Sequence, residues 1–388
     1  MKPIRVCMLA AGFYPNLGGL ERQAHKLGRE LVQRGHSVCV LTRQNRGLPA
    51  EQTIDGIRVH RLRQWGKGRW LESVSYLAGA LVWIIRNRRQ IDILHAHQSY
   101  SPTTVAAVAG LLTGKRTLSK ISATQELGER RELQRLPFGR MRRYLMTRID
   151  RVVGVNPSVF EEFEDWGVRK ERFQYIPNGV EIPEHSAYDR DAKAAARSCL
   201  NLEGDLFVIY TGRLSSEKGL EHLIQAWAQV VPEFSEARLF LLGSGGGDRD
   251  VEKDLKASVA DLGLGSSVRF LGHVKNVEDY LVASDVFVLG SVSEGMSNAL
   301  LEAMAAGLAI VASEIPAHRE IIEDGVNACV FPYGNVEILT RKLKGLLADA
   351  QLRRTLGMAA REAAQTRFSM TAVTSRYESL YREILCVA

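Results

Sequence analysis

Short apolar runs alternate with longer amphipathic stretches along almost the whole chain. A buried parallel strand forms a short, unbroken apolar run, whereas a helix that covers a sheet repeats its apolar positions about every 3.6 residues. The alternation therefore predicts an α/β protein with parallel sheets covered on both faces. Strands are expected near residues 4–9, 38–41, 91–95, 117–121, 152–155 and 173–176, and again near 207–210, 239–242, 268–271, 286–289, 308–311 and 328–331.

The length of 388 residues is too great for one ordinary core and predicts two α/β domains of similar size. A turn rich in Pro, Gly and Asn at residues 176–185 marks the boundary. We predict a first domain over residues 1–182 and a second over 183–365. The segment 366–388 is predicted to be a C-terminal helix that returns to the first domain.

The composition is that of a soluble globular protein, with 45% hydrophobic and 24% charged residues. The longest apolar stretch, residues 74–85, is too short to span a bilayer. The first residues mimic a signal peptide but continue into Phe-Tyr-Pro-Asn and a glycine pair, which fit a strand and a turn better. The five cysteines lack metal-binding spacing, and three lie in apolar runs, which indicates buried free thiols in a reducing compartment. We therefore expect a cytoplasmic protein.

Charge is distributed unevenly between the two halves. Residues 1–180 contain 30 Lys and Arg against 15 Asp and Glu, a balance of +15, and the remainder balances at −8. This asymmetry predicts an anionic partner for the first half, which could be nucleic acid, an anionic membrane surface or a phosphorylated acceptor. Eight arginines interleaved with apolar residues lie in residues 129–151. That segment fits both a core-packed helix with a basic outer face and a peripheral contact with anionic lipid.

Residues 290–313 are the most informative segment of the chain. An apolar strand leads into a Ser/Gly-rich loop, a short helix and another apolar strand. Ser297 or Asn298 can cap the helix, and Gly307 stands where a helix ends in the left-handed conformation. Glu294 and Glu302 lie beside the free amides of the helix start, which form an anion site. A ligand with both phosphate and hydroxyl groups, such as a nucleotide-sugar, satisfies both features.

Two further loops follow the first strand of each half. Arg213 and Lys218 follow the first strand of the second half, where ligands bind in open α/β sheets, and two cations there suit a diphosphate. Gly18 and Gly19 follow the first strand of the first half and permit close backbone approach at a helix start. The spacing lacks the Gly-x-Gly-x-x-Gly fingerprint, which argues against a nicotinamide enzyme.

No metal site is expected. His95 and His97 end a strand without the further ligands that zinc requires, so that a structural role and a polar contact in a ligand site both stay open. Asp248 and Asp250 form an acid-x-acid pair, but an Asp before a helical run is more often an N-cap.

The segment EGMSNALLE, with seven residues between Glu294 and Glu302, resembles the signature of the retaining glycosyltransferases of family 4. The resemblance implies a GT-B fold, which has two Rossmann-like, doubly wound domains facing each other across a cleft that holds the active site. It also implies transfer of a hexose or N-acetylhexosamine from a nucleoside-diphosphate donor, with UDP favoured, without an obligatory metal or cofactor. The +15 balance of the first half and the arginines of residues 129–151 point separately to the acceptor, a glycan or a lipid-linked molecule at the inner membrane leaflet in surface polysaccharide or glycoconjugate synthesis.

The same resemblance assigns roles to residues. Arg213 and Lys218 would neutralise the departing diphosphate, Glu302 would bind the ribose, and Glu294 would bind the donor sugar. Gly18 and Gly19 would face the donor phosphates and the acceptor. The backbone that cradles sugar and β-phosphate would be that of Gly295, Met296, Ser297 and Asn298.

The chain departs from the family after the strand at 117–121. Many members have a histidine in a Val-Thr-Val-His-Gly context there, whereas LSKISATQE places Ser122 at that position. The role of the usual histidine on the acceptor side would then be absent or taken by Lys120, Ser122, Gln125 or His97.

Two alternatives remain. A nucleotide-sugar epimerase of the same fold would act on the donor without any acceptor. A nucleic-acid-binding module would explain the basic first half, but that half has no recognisable binding motif and its arginines are not set among stacking aromatics. We therefore expect no nucleic-acid partner. The oligomeric state cannot be predicted from the sequence.

Overall fold

The computed structural model describes residues 2–15, 18–65, 69–98, 100–122, 138–202, 204–247 and 249–386. The chain divides into two compact α/β units, one of residues 1–179 with 370–388 and one of residues 180–369. Each is a Rossmann-like unit built on a parallel sheet, as the alternation of apolar runs predicts.

The first unit contains an eight-stranded sheet in its described residues, in the order β3-β4-β2-β1-β5-β6-β7-β8. All pairings are parallel except the one between β3 and β4. Its strands are β1 (Arg5–Ala10), β2 (Ser37–Arg43), β3 (Glu51–Ile54), β4 (Ile57–Leu62), β5 (Ile93–His97), β6 (Arg116–Ile121), β7 (Arg151–Gly154) and β8 (Phe173–Tyr175).

The hairpin of β3 and β4 was not predicted. Its turn has a positive φ at both Asp55 (48°) and Gly56 (79°), the conformation of the tight turn that Asp-Gly favours between antiparallel strands. The alternation of apolar and polar residues in β4 carried a strand signal. The opposing strand β3 is mostly exposed and polar, so it lacks the apolar run by which the other strands are recognised.

Helices cover both faces of the first sheet because consecutive residues of its central strands are apolar and point to the two faces in turn. Cys7 and Leu9 of β1 join one buried cluster, whereas Val6 and Met8 join the other. The helices are α1 (Gly19–Gln33), α2 (Arg69–Asn87), α3 (Ser101–Thr113), α4 (Gly139–Met146) and α5 (Ser158–Glu164), together with the C-terminal helix described below.

The second unit contains a six-stranded parallel sheet in its described residues, in the order β11-β10-β9-β12-β13-β14. Its strands are β9 (Leu206–Thr211), β10 (Ala237–Leu242), β11 (Val268–Gly272), β12 (Val286–Leu289), β13 (Ala309–Ser313) and β14 (Cys329–Phe331). Its helices are α6 (Arg190–Cys199), α7 (Leu220–Val230), α8 (Glu252–Asp261), α9 (Val277–Ala283), α10 (Asn298–Ala306), α11 (Pro316–Arg319), α12 (Val336–Ala348) and α13 (Ala350–Ala363).

The last helix, α14 (Met370–Cys386), belongs to the first unit. Its apolar face, which includes Val373, Tyr377 and Ile384, is buried in the same cluster as Met8 of β1. The chain thus returns to the first sheet after completing the second, and residues 364–369 separate α13 from α14.

Both sheets reverse their strand order next to their first strand, between β1 and β5 and between β9 and β12. The loops that leave the carboxyl ends of these strands diverge to opposite faces of the sheet, and ligands bind in the crevice between them. The candidate residues of both units follow these strands.

Candidate active site

In the second unit, the loops that follow β9 and β12 come into direct contact at the point where the strand order reverses. Gly219 has a φ of +60°, and a Cβ placed on it would lie 2.3 Å from the carbonyl oxygen of Gly290. No side chain can fit there. Glycine at 219 therefore allows the close approach that brings Lys218 on one loop to Glu294 on the other.

Lys218 and Glu294 form a largely buried ion pair. The Lys218 Nζ donates to Glu294 Oε1 at 2.6 Å, and the two side chains are only 14% and 13% exposed. The Ser291 hydroxyl donates to the same carboxylate oxygen at 2.8 Å. The predicted diphosphate-binding lysine and the predicted sugar-binding glutamate, 76 residues apart, are thus held together by direct contact.

Arg213 has a different environment. Its side chain is 71% exposed, and its guanidinium lies 3.2 Å from Oε1 of the buried Glu217. Burial alone would raise the pKa of Glu217, but its own backbone amide, Ser215, Arg213 and Lys218 together lower it, so this carboxylate stays ionised. Glu217 also fixes the two loops to each other, because its carbonyl oxygen accepts the amide of Val292 at 2.9 Å.

The start of α10 forms the third part of the site. Ser297 is the N-cap, and its hydroxyl accepts the amide of Leu300 at 3.2 Å. Gly307 ends the helix at a φ of +77°, as the sequence predicts. Glu302 lies in the second turn of α10 and is partly exposed. The predicted backbone cradle, residues 295–298, leads directly from the Glu294 loop into this helix.

Two side chains that support Glu294 were not recognised in the sequence. The Ser313 hydroxyl, at the end of β13, donates to the carbonyl oxygen of Ser291 at 2.5 Å, and the carbonyl oxygen of Ser313 lies 2.8 Å from Nδ1 of the buried His318. Burial lowers the pKa of His318, which keeps the ring neutral with its proton on Nδ1. This chain of contacts from His318 through Ser313 to Ser291 fixes the loop that carries Glu294, and only the folded sheet brings its members together.

In the first unit, Gly18 is the N-cap residue of α1, and Gly19 begins the helix. A Cβ placed on Gly18 would lie 2.6 Å from Oε2 of Glu21, and one on Gly12 would lie 3.2 Å from Glu21 Oε1. The carboxylate of Glu21 therefore lies beside the helix start where the sequence predicts an anion site. An anionic ligand at these amides would have to displace it, whereas a ligand hydroxyl could bind to it.

The carboxyl end of β5 holds a buried polar cluster. The rings of His95 and His97 stack at 4.1 Å, and Nδ1 of His95 lies 2.7 Å from the Tyr381 hydroxyl of α14. Lys120, the β6 partner of His97 in the sheet register, donates to Asn178 Oδ1 at 2.8 Å. His97 and Lys120, both predicted acceptor-side residues, thus lie on neighbouring strands and are 4% and 3% exposed.

Ser122, the third predicted acceptor-side residue, is partly exposed just after β6. Gln125 and Asp248 lie outside the described residues. Among the residues that the structure describes, no group of three His, Cys, Asp or Glu side chains is placed to hold a metal ion.

We expect the protein to lose stability in acid because His97 is buried in its neutral form. Burial and the charge of Lys120 hold the pKa of His97 at about 3, whereas an unfolded histidine titrates near pH 6.5. Between these values the unfolded chain binds more protons at this histidine than the folded protein does. The contribution of neutral His97 to the free energy of unfolding is therefore complete above pH 6.5 and is lost as the pH falls towards 3. His95 is shifted in the same direction. At about pH 5 the loss from His97 is expected to be roughly 2 kcal/mol.

Urea unfolding at about pH 7.5 and pH 5 measures this loss. The substitution His97→Gln should make the midpoint less dependent on pH, whereas His273→Gln, at an exposed histidine of the second unit, should not. Equal pH dependence in the native protein and the His97 variant would contradict the assignment.

The described part of the basic segment begins at Phe138 and contains α4. Three of its apolar side chains are exposed at helical spacing, Phe138 (65%), Met141 (49%) and Tyr144 (57%). Arg142 donates to the Thr104 hydroxyl, and Arg143 to the carbonyl oxygens of Asp165 and Trp166. These two arginines therefore contact the protein itself, and the predicted basic face of α4 is smaller than the sequence indicates.

None of the helices in the described ranges combines the length and the apolar character needed to cross a membrane.

Comparison with known proteins agrees with this geometry. Residues 193–363 match the family described as glycosyl transferases group 1, and residues 17–183 match glycosyltransferase family 4. The chain is 26% identical to N-acetyl-alpha-D-glucosaminyl L-malate synthase of Bacillus anthracis, over 96% of both chains. It is 31% identical to the lipopolysaccharide core biosynthesis glycosyltransferase LpsE of Rhizobium meliloti, over 60% of this chain and 64% of that one.

Among solved structures, HepE of Anabaena in complex with UDP superposes with a TM-score of 0.81 at 21% identity, covering 98% of this chain and all of that one. The similarity extends through both units. Together with the sequence matches, it assigns the two Rossmann-like units to the GT-B architecture, so that the expected fold and family are confirmed. The chain belongs to the family 4 glycosyltransferases and is a glycosyltransferase enzyme.

Proposed function

We propose that the protein is a retaining glycosyltransferase that moves a hexose or N-acetylhexosamine from a UDP-sugar to a lipid-linked or glycan acceptor. The observation that carries the proposal is the contact between Lys218 and Glu294 at the strand-order reversal of the second unit. A cation and a carboxylate at one point match the two parts of a nucleotide-sugar, because the diphosphate needs positive charge and the sugar hydroxyls need acceptors.

The ion pair suggests how donor binding rearranges the site. Without a ligand, Lys218 and Glu294 satisfy each other, which avoids leaving either charge buried and unpaired. A diphosphate would compete with Glu294 for the lysine. Glu294, still held by Ser291, would then accept hydrogen bonds from the donor sugar, while Lys218 and Arg213 take up the charge that develops on the departing diphosphate.

Retention of anomeric configuration requires the acceptor to reach the same face of the sugar from which the diphosphate leaves. A departing phosphate oxygen can then receive the proton of the attacking hydroxyl, and the protein needs only to hold both groups and stabilise the charge. We assign the backbone of residues 295–298 to the sugar and the β-phosphate, and Glu302 to the ribose. Gly18 and Gly19 are assigned to the donor phosphates and the acceptor, and His97, Lys120 and Ser122 to the acceptor side.

Three arguments support the choice of donor and acceptor. The similarly folded HepE was solved with UDP, which favours uridine as the base. The relative LpsE is a lipopolysaccharide core biosynthesis glycosyltransferase, and a lipopolysaccharide is a glycan joined to a lipid. The +15 balance of residues 1–180 suits an acceptor that carries phosphate or is embedded in an anionic leaflet.

Thermal unfolding with a panel of nucleoside diphosphates and their sugars tests the donor class, because a ligand that binds only the folded protein raises the midpoint. We expect UDP and at least one UDP-sugar to stabilise the protein, and GDP and ADP to do so less. Stabilisation by none of them, or equally by all of them, would contradict a UDP-sugar donor.

We further propose that α4 attaches the protein to anionic lipid at the inner leaflet. Its exposed apolar side chains can enter the interface while Arg140 and Arg148, both exposed, contact headgroups, at about 1 kcal/mol for each basic residue. Reversing these two arginines to Glu should weaken binding to anionic vesicles at least about tenfold at low salt. Arg142 and Arg143 are unsuitable for this test because they bind other parts of the unit.

Vesicle flotation measures the effect, with Arg269→Glu and Arg341→Glu as a charge-matched control at exposed positions of the second unit. Native binding should also fall as salt is raised, because the attraction decays over roughly 10 Å at 0.1 M. Equal loss in the control pair, or no native binding at low salt, would favour a soluble acceptor instead.

A further inference from the structure

The second unit has a cavity of about 250 Å³ at the end of its sheet opposite to the candidate active site. Its lining includes Asp285, which directly precedes β12, and Ala309, the first residue of β13. Lys218 and Glu294 follow the carboxyl ends of β9 and β12, whereas this cavity lies at the amino ends. Strands of four to six residues separate the two edges by roughly 15 Å. The cavity is therefore distinct from the proposed donor site.

The cavity lining is strongly cationic. Four basic side chains, Arg190, Lys193, Arg353 and Arg354, line it, against Asp285 as the single acid among the described lining residues. Like charges in one small space repel each other, and such a surplus is stabilised by a bound anion.

The single acid is already engaged by cations. Lys193 Nζ and Arg197 each lie 2.8 Å from one oxygen of Asp285, whose side chain is 9% exposed. Burial, together with the charges of Arg197 and Arg353, lowers the pKa of Lys193 despite the pairing with Asp285. Asp285 therefore does not neutralise the remaining arginines of the cavity.

Two of these arginines are accessible. Arg190 and Arg354 are exposed, and the Arg354 guanidinium lies 5.6 Å from the centre of the Tyr188 ring, which also lines the cavity. A guanidinium stacked on a ring loses less freedom when it binds a ligand. Its planar set of N–H donors matches the oxygens of a phosphate.

Two helices begin at the cavity. Arg190 is the first residue of α6, and Ala350 is the first residue of α13. The nearby carboxylates of Asp189 and Asp349 accept hydrogen bonds from the first backbone amides of these helices. These carboxylates offset the partial positive charge of the helix ends, so the cationic character of the cavity comes from its basic side chains.

One helix joins this cavity to the candidate active site. Ser297, the N-cap of α10, lies three residues after Glu294, and Gly307, the C-cap of the same helix, lines the cavity. A Cβ on Gly307 would lie 2.8 Å from the Tyr188 ring, so the helix end and the ring are in close contact. A ligand in the cavity would therefore lie close to the far end of the helix whose start we assign to the donor.

We propose that this cavity is a second anion site, which binds the phosphate group of a small phosphorylated metabolite or inorganic phosphate itself. With four cations around one acid, the cavity suits a ligand with a doubly charged phosphate better than a ligand with one carboxylate. The site is separate from the proposed donor site. Because α10 extends from the cavity to the donor loop, a ligand bound in the cavity could regulate donor binding.

Isothermal titration calorimetry at constant ionic strength tests the proposal, with inorganic phosphate and glycerol 3-phosphate as probes. The Arg213→Ala/Lys218→Ala protein is titrated in parallel, because phosphate could also bind at the proposed donor site. We expect one saturable phosphate site that persists in this variant. In Arg190→Gln/Arg354→Gln the dissociation constant should rise at least about tenfold. Arg341→Gln, at an exposed arginine of α12, serves as the matched control and should leave it unchanged.

The two probes distinguish the sources of the phosphate. Tighter binding of glycerol 3-phosphate indicates a phosphorylated metabolite, and equal binding indicates free phosphate. Two results would overturn the site: no binding of either probe up to about 10 mM, or the same affinity in the native protein and Arg190→Gln/Arg354→Gln. Loss of binding only in Arg213→Ala/Lys218→Ala would assign the phosphate to the donor loops and would also overturn it.

Discussion

Replacing Lys218 with alanine is expected to lower turnover about a hundredfold while leaving the fold intact. The lysine lies at the strand-order reversal, 2.6 Å from Glu294, in a largely buried position where a charge acts strongly on a neighbouring diphosphate. Removing a charge that stabilises the transition state costs roughly 3 kcal/mol, which corresponds to this factor. Arg213→Ala should act in the same direction, but less, because that side chain is 71% exposed.

Steady-state release of UDP measures the effect. Lys344→Ala is the matched control, since Lys344 also forms a 2.6 Å ion pair, with Glu233, on the surface of the same unit. Lys218→Ala leaves Glu294 without its cation and should lower the unfolding midpoint. The double variant Lys218→Ala/Glu294→Gln should recover that midpoint but not the turnover. If Lys218→Ala keeps a turnover close to that of the native protein, the assignment of Lys218 to the departing diphosphate is wrong.

Substitution of the two glutamates should separate nucleotide binding from sugar binding. Glu302→Ala is expected to weaken UDP roughly tenfold or more, because it removes a carboxylate acceptor from the ribose hydroxyls. Glu294→Ala should bind UDP at least as tightly as the native protein, since it releases Lys218 from its ion pair. It should nevertheless lower turnover about a hundredfold, because the donor sugar no longer has its acceptor.

Calorimetry with UDP and with a UDP-sugar distinguishes these effects. Glu314→Ala removes an exposed glutamate of the same unit, which lies 2.9 Å from Arg319, and serves as the control. Equal loss of UDP affinity in the Glu294 and Glu302 variants would contradict the assigned division. Weaker UDP binding in Glu294→Ala would show that the ion pair organises the nucleotide site.

Features that depend on local chemistry can be predicted from the sequence of this protein. The strands with buried apolar runs, the Ser297 cap and the Gly307 helix end follow from local chemistry, and all of them are confirmed. The exposed strand β3 does not follow from the same pattern, because three of its four residues are polar and exposed.

The candidate site likewise has parts that the sequence predicts and parts that only the folded protein shows. Lys218 and Glu294 could be named separately from their loops, but their ion pair depends on the order in which β9 and β12 pair in the sheet. The support from Ser313 and His318 could not be predicted, since a serine in an apolar strand and a histidine after a proline are common in structural roles. The acidic Glu21 beside Gly18 likewise becomes visible only when α1 is folded.

Nuclear magnetic resonance of the reaction products tests the central claim most directly. The native protein is incubated with UDP-sugars, and the configuration of the released or transferred sugar is read before it can equilibrate in solution. The proposed function predicts UDP together with a sugar that keeps the α-configuration of the donor, and formation of both products about a hundredfold more slowly by Lys218→Ala at the same protein concentration. Inversion to the β-configuration would contradict retention, an epimerised sugar would favour the epimerase alternative, and no UDP from any donor would contradict the proposed reaction itself.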